Sequence, residues 1–217
     1  MAKGKSLNAD AVTDNLLICY AEEIEQAILN LDDPLCRDVM GCAMNHLTLL
    51  RTLRDAPYGL EGTMSYRGGL LVHTIRSLRC ALATCIQAQE LETPFSPSLV
   101  TMGCILRNVG WYTTTNFQGD KPRPRDSYKT IGVRRASIHY INKLVNACVA
   151  NTQTVLPTAY QQVLENMCNP TKDICTFEGM IVAYADNIAD VLSFGVATLQ
   201  TKQEGNWHGD FFTGHLS

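Results

Sequence analysis

Apolar residues return every three or four positions along most of this chain, and few stretches alternate with a period of two. That spacing selects helices over sheets, because 3.6 residues per turn places such positions on one face. Between Asp14 and Leu31, the residues Leu16, Leu17, Tyr20, Ile24, Ala27, Ile28 and Leu31 recur at three- and four-residue intervals, and Glu22, Glu23 and Glu25 take the other face. Asp33-Pro34 supplies a cap and a first-turn proline for a second helix to about Arg54, which Ala56-Pro57-Tyr58-Gly59 stops. Further helices are expected over about Gly69–Glu90, Ser98–Trp111, Thr130–Val149, Pro157–Met167 and Thr176–Leu199. Gly119, Pro122 and Pro124 mark residues 113–128 as a long loop.

The expected fold class is therefore all-α, a single-domain bundle of about seven helices. A chain of 217 residues suits one domain. We place it over residues 1–202, with a core from about 36 to 200, an N-terminal helix over 14–31 and a loose tail over 203–217. Hydrophobic residues make up 46% and charged residues 18%, which excludes disordered and fibrous classes and allows a sizeable core. No internal repeat or low-complexity tract interrupts it. No G-x-x-x-x-G-K-S/T loop or G-x-G-x-x-G turn is present, so a nucleotide-cradling glycine loop is not expected.

Nine cysteines show none of the paired C-x-x-C spacing of a structural zinc site. Cys36, Cys80, Cys85, Cys104 and Cys148 lie among apolar neighbours and are expected to be core thiols. With an odd count and no apolar leader, the expected compartment is the reducing cytoplasm. No apolar run approaches the roughly 20 residues of a membrane span, so no membrane is expected among the partners.

Charge is unevenly placed although its sum is only -3. Residues 1–35 carry two lysines and seven carboxylates, whereas residues 120–135 carry six basic residues and two aspartates. Lys121, Arg123, Arg125, Lys129, Arg134 and Arg135 are either a solvated surface or a phosphate-binding patch, for which arginine's planar fork is well suited. The acidic N-terminal region offers a complementary surface for a second copy.

Tyr66-Arg67-Gly68-Gly69-Leu70-Leu71-Val72-His73-Thr74 is the most specific stretch. It resembles the G-G-L-L-x-H-T start of the first ligand helix in the HD-domain metal-dependent phosphohydrolases, especially the branch found in RNA-degrading exonucleases and conjugative relaxases. Over roughly residues 40–195 the helix order is similar too. Phe177-Glu178-Gly179-Met180-Ile181-Val182-Ala183-Tyr184-Ala185-Asp186 is similar to the family's last segment, with Asp186 at the final ligand position. The resemblance implies a helical bundle in which His73, a central His-Asp pair and Asp186 would hold one or two metals.

That central pair is replaced here: Met102-Gly103-Cys104-Ile105-Leu106 leads into Arg107-Asn108. A guanidinium stays protonated and cannot ligate a cation, and an amide oxygen is a weak ligand. His73 and Asp186 alone do not make a hydrolytic centre. The expectation is a remnant site of His73, Arg107, Asn108 and Asp186 in which Arg107 takes the metal's place against Asp186, with no catalytic residue, no metal and no other cofactor. The leading functional reading is a non-catalytic binding, regulatory or scaffold subunit, with a protein partner or second copy and with nucleic acid as a further candidate. The alternative is a weakly active or altered phosphohydrolase on a nucleotide or nucleic acid, which would need a divalent metal. A third reading is an unrelated helical interaction protein. Elsewhere, Glu178, Asp186 and Asp190 share a helix face, while His46, His139, His208 and His215 show no partner spacing.

Overall fold

The computed structural model describes residues 14–90, 92, 94–168 and 176–201, with side chains described up to residue 193. These form α1 (Asp14–Leu29), α2 (Pro34–His46), α3 (Leu49–Asp55), α4 (Gly69–Glu90), α5 (Pro97–Leu106), α6 (Gly110–Thr114), α7 (Asp126–Thr130), α8 (Gly132–Thr152), α9 (Thr158–Cys168) and α10 (Phe177–Thr201). A hairpin of β1 (Thr115–Gln118) and β2 (Lys121–Pro124) stands between α6 and α7. The all-α class holds, with seven helices of ten residues or more and three short ones among the described residues. The region after residue 201, including the expected tail with His208 and His215, lies outside the described residues.

α4 is the central helix, packed by α1, α3, α5 and α10. Leu70, Leu71, Val72, Ile75, Leu78, Ala81 and Cys85 are buried along it. By length and composition α4 passes for a membrane span, reaching a mean hydropathy of 1.2 over its most apolar window, although the sequence reading found no such run. Most of that window, 61%, is buried by the neighbouring helices, as expected of a core helix. Its start needs Gly68-Gly69: Gly68 has φ +93°, and a Cβ on Gly69 would fall 1.9 Å from the Met64 carbonyl oxygen.

Local chemistry sets two helix starts, the first of them as expected. Asp33 accepts hydrogen bonds from the Leu35 and Cys36 amides at 2.9 and 3.5 Å, with Pro34 in the first turn of α2. Ser96 caps α5 through the Leu99 amide at 3.3 Å, ahead of Pro97.

Three expectations need correction. The helix expected from Asp33 to Arg54 is two helices, because Thr48 takes a left-handed conformation (φ 49°) that burial of Leu49 and Leu53 against the core enforces. The helix expected from Ser98 to Trp111 ends at Leu106, and tight turns through Val109 redirect the chain into α6. The expected loop 113–128 contains a hairpin whose Gln118 and Lys121 flank the Gly119-Asp120 turn. Pro122 and Pro124 are two apart, so both nitrogens point away from the ladder and the strand tolerates them. Arg67 lies 5.0 Å over the Phe117 ring and pins the hairpin to the segment before α4.

Cys36, Cys42, Cys85, Cys104, Cys148 and Cys168 are buried, Cys80 is half-buried and Cys19 is exposed. Burial pushes the Cys104 and Cys168 thiols up to about 12. Native-state alkylation followed by peptide mapping should therefore modify Cys19 quickly and reach Cys104 and Cys168 only on denaturation. Rapid native labelling of Cys104 would contradict this packing.

Candidate functional site

His73 sits one turn into α4 and is fully buried. Asp186 is on α10, the helix packed most extensively against α4. Arg107 and Asn108 lie in the turn leaving α5, where the Arg107 amide still bonds the Gly103 carbonyl at 2.9 Å. That turn is held against α8 by Gly110, whose amide donates to Ser137 Oγ at 2.9 Å. A Cβ on Gly110 would fall 2.1 Å from the Val133 carbonyl oxygen, so glycine permits the approach.

The four residues expected at the remnant site converge on one carboxylate. His73 Nε2 lies 2.8 Å from Asp186 Oδ1, and Asn108 Nδ2 donates to the same oxygen at 2.7 Å. Arg107 Nε donates to Asp186 Oδ2 at 2.8 Å, and its Nη1 donates to the Met167 carbonyl at the end of α9. The carboxylate can only accept, so the arrangement assigns the proton on His73 to Nε2. Burial alone would raise the Asp186 carboxyl, but the His73 hydrogen bond, the Arg107 charge and the Asn108 amide outweigh it and hold the group below its usual value.

Two neighbours complete the cluster. The Tyr58 ring stacks on His73 with centroids 3.6 Å apart and planes 8° from parallel. Its hydroxyl interacts with Asp190, whose carboxylate stands 3.7 Å from His73 Nδ1, too far for a hydrogen bond. His73 Nδ1 is consequently buried without a hydrogen-bond partner. Burial pushes the Asp190 carboxyl above its usual value despite the pull of His73 and Tyr58.

Tyr58 is the residue that sequence reasoning missed. It lies in the loop before α4, which closes on itself through Tyr58 amide to Met64 carbonyl and Gly68 amide to Ala56 carbonyl bonds of 3.0 and 3.2 Å. A loop aromatic carries no periodicity, and only its place ten residues before the G-G-L-L-x-H-T stretch could have drawn notice. Glu178 does not join the cluster as its shared face with Asp186 and Asp190 suggested. Its carboxylate instead accepts from the Ser96 amide at 3.0 Å, fixing the start of α5.

This donor set does not fit a divalent cation. Both oxygens of Asp186 already accept from cationic or amide donors, and a guanidinium points where a cation would approach. Among the described residues, no group of three or more His, Cys, Asp or Glu side chains is placed to hold a metal ion. The arrangement ties α4, α9, α10 and the turn after α5 to one carboxylate.

The basic segment is elsewhere. Lys121, Arg123, Arg125, Lys129, Arg134 and Arg135 are all exposed, spread over β2, α7 and the start of α8. Arg125 reaches a cavity of about 230 Å³ beside Arg67 and the hairpin. None of the six forms an ion pair among the described residues, and acidic α1 pairs instead with α4, where Glu23 takes both arms of Arg79 at 2.8 and 2.5 Å.

No family model matches the chain, and no curated protein or solved structure shows a significant match.

Arg107→Ala should cost about 3–5 kcal/mol in denaturant unfolding at neutral pH, because it strands a buried carboxylate. Asp186 has a depressed folded pKa, so its stabilising contribution is present above its unfolded value of 3.8 and is lost as pH falls through the folded value. The gap between Arg107→Ala and wild type should accordingly shrink below pH 4. A loss under about 0.5 kcal/mol, as for a surface substitution, would refute the buried pair.

Proposed function

We propose that this chain is a non-catalytic helical domain, a degenerate relative of the HD-domain phosphohydrolases, that serves as a binding, regulatory or scaffold subunit. The carrying observation is the 2.8 Å contact of Arg107 Nε with Asp186 Oδ2, which places a fixed protein cation on the carboxylate where the resemblance puts a metal ion. The G-G-L-L-V-H-T stretch, the order of the helices and the convergence of His73 with Asp186 support the family reading. The fold keeps its frame, and a salt bridge ties it together.

A protein surface is the partner this reading favours. Met180, Tyr184 and Val191 are 51, 60 and 68% exposed on α10, at spacings of four and seven residues that give one apolar stripe. A second copy of the chain and a different protein both suit it.

The test is metal content and titration. Purified protein should carry well under one equivalent of iron, manganese, magnesium or zinc, and added manganese should leave its thermal midpoint unchanged. About one metal per chain that disappears in His73→Ala would favour the weakly active phosphohydrolase instead.

The six unpaired cations favour a second reading, direct contact with nucleic acid in nucleic-acid metabolism. Binding to single-stranded RNA or DNA should then weaken steeply with salt, since each neutralised phosphate releases counterions. Reversing Arg134 and Arg135 to Glu should abolish it without unfolding the chain. Absence of binding at low salt would remove this reading and leave the protein partner.

A further inference from the structure

A cavity of about 410 Å³ opens where the end of α2 meets α6 and α8, apart from the His73 cluster. This is within the usual size range of small-molecule sites, roughly 300–1,000 Å³. Tyr112 from α6, Ile131 from the turn before α8 and Tyr140 from α8 contribute its apolar walls. His46 at the end of α2 and His139 and Lys143, one turn apart on α8, line it with nitrogen.

Two features of this lining point to one ligand chemistry. First, it contains no carboxylate, so nothing neutralises Lys143. Second, His46, His139 and Lys143 make no hydrogen bond or ion pair among the described residues and are exposed, free to meet a ligand. Tyr140 is only 8% exposed and its hydroxyl is closed off from solvent, so it meets the cavity with its ring rather than its oxygen.

We propose that this cavity binds a small organic anion, with an apolar body against Tyr112, Ile131 and Tyr140 and a carboxylate or phosphate head held by Lys143, His139 and His46. The apolar walls supply affinity through area removed from water, and the cations select the head. The site does not depend on the His73–Asp186 cluster, so its fate and that of the non-catalytic reading are separable.

Calorimetric titration of the intact chain with 2-naphthoate, 2-naphthyl phosphate, 2-naphthol and inorganic phosphate tests it. At least one aryl anion should bind tenfold or more tightly than both 2-naphthol and inorganic phosphate, and the preferred head distinguishes a carboxylate ligand from a phosphate one. Lys143→Gln should weaken that binding about tenfold and His139→Gln severalfold. Neither variant should lower the thermal midpoint appreciably, because both side chains are exposed and bond nothing in the fold. Ile131→Trp, which fills the cavity from its half-buried rim, should block binding. No binding of either aryl anion at millimolar concentration, equal affinity for 2-naphthol, or affinity unchanged in both Lys143→Gln and His139→Gln would overturn the proposal.

Discussion

The Asp186 carboxylate is the point on which four segments of the chain agree. His73 reaches it from α4, Arg107 and Asn108 from the turn after α5, and Arg107 carries the network on to the last turn of α9. A buried carboxylate is costly unless every oxygen has donors, and here three side chains supply them. Moving any one of those helices by an ångström would break a charged hydrogen bond in a poorly solvated place. The apolar core tolerates small slides, since hydrophobic contact has no direction; this cluster does not.

That division explains which parts of the structure the sequence revealed. α4 runs over Gly69–Glu90 as its pattern indicates, the Asp33-Pro34 signal starts α2 where expected, and α5 begins at Pro97, one residue before the expected start. Caps and periodicity are local, so they can be read locally. The break at Thr48 could not be read this way, because what enforces it is burial of Leu49 and Leu53 against other helices. The hairpin escaped for a related reason: its Pro122 and Pro124 look like loop residues until the strand register shows that neither nitrogen is needed.

The site divides in the same manner. His73, Arg107, Asn108 and Asp186 were legible through the resemblance, which supplied positions that no spacing argument could connect across more than a hundred residues. Tyr58 was not legible, since its role depends on how a loop folds over α4. Glu178 shows the opposite error. It shares a helix face with Asp186 but reaches toward Ser96, because four-residue spacing aligns side chains along a helix without fixing which neighbour each one meets.

On the proposed reading a guanidinium stands where a metal ion would otherwise sit, and that changes more than chemistry at the site. A metal centre links folding to metal supply and pH, because its ligands must be deprotonated and its ion must be captured from solution. Arg107 is always charged and is covalently part of the chain, so the positive charge beside Asp186 arrives with folding itself. The net stability gained is small, since desolvating both partners offsets most of their attraction. What is gained is geometry: Arg107 bonds α10 through Asp186 and α9 through the Met167 carbonyl, holding in fixed relation two helices whose connecting residues lie outside the described structure. A domain locked in this way suits a role in which its surface, with the α10 stripe and the basic segment 120–135, matters more than its interior.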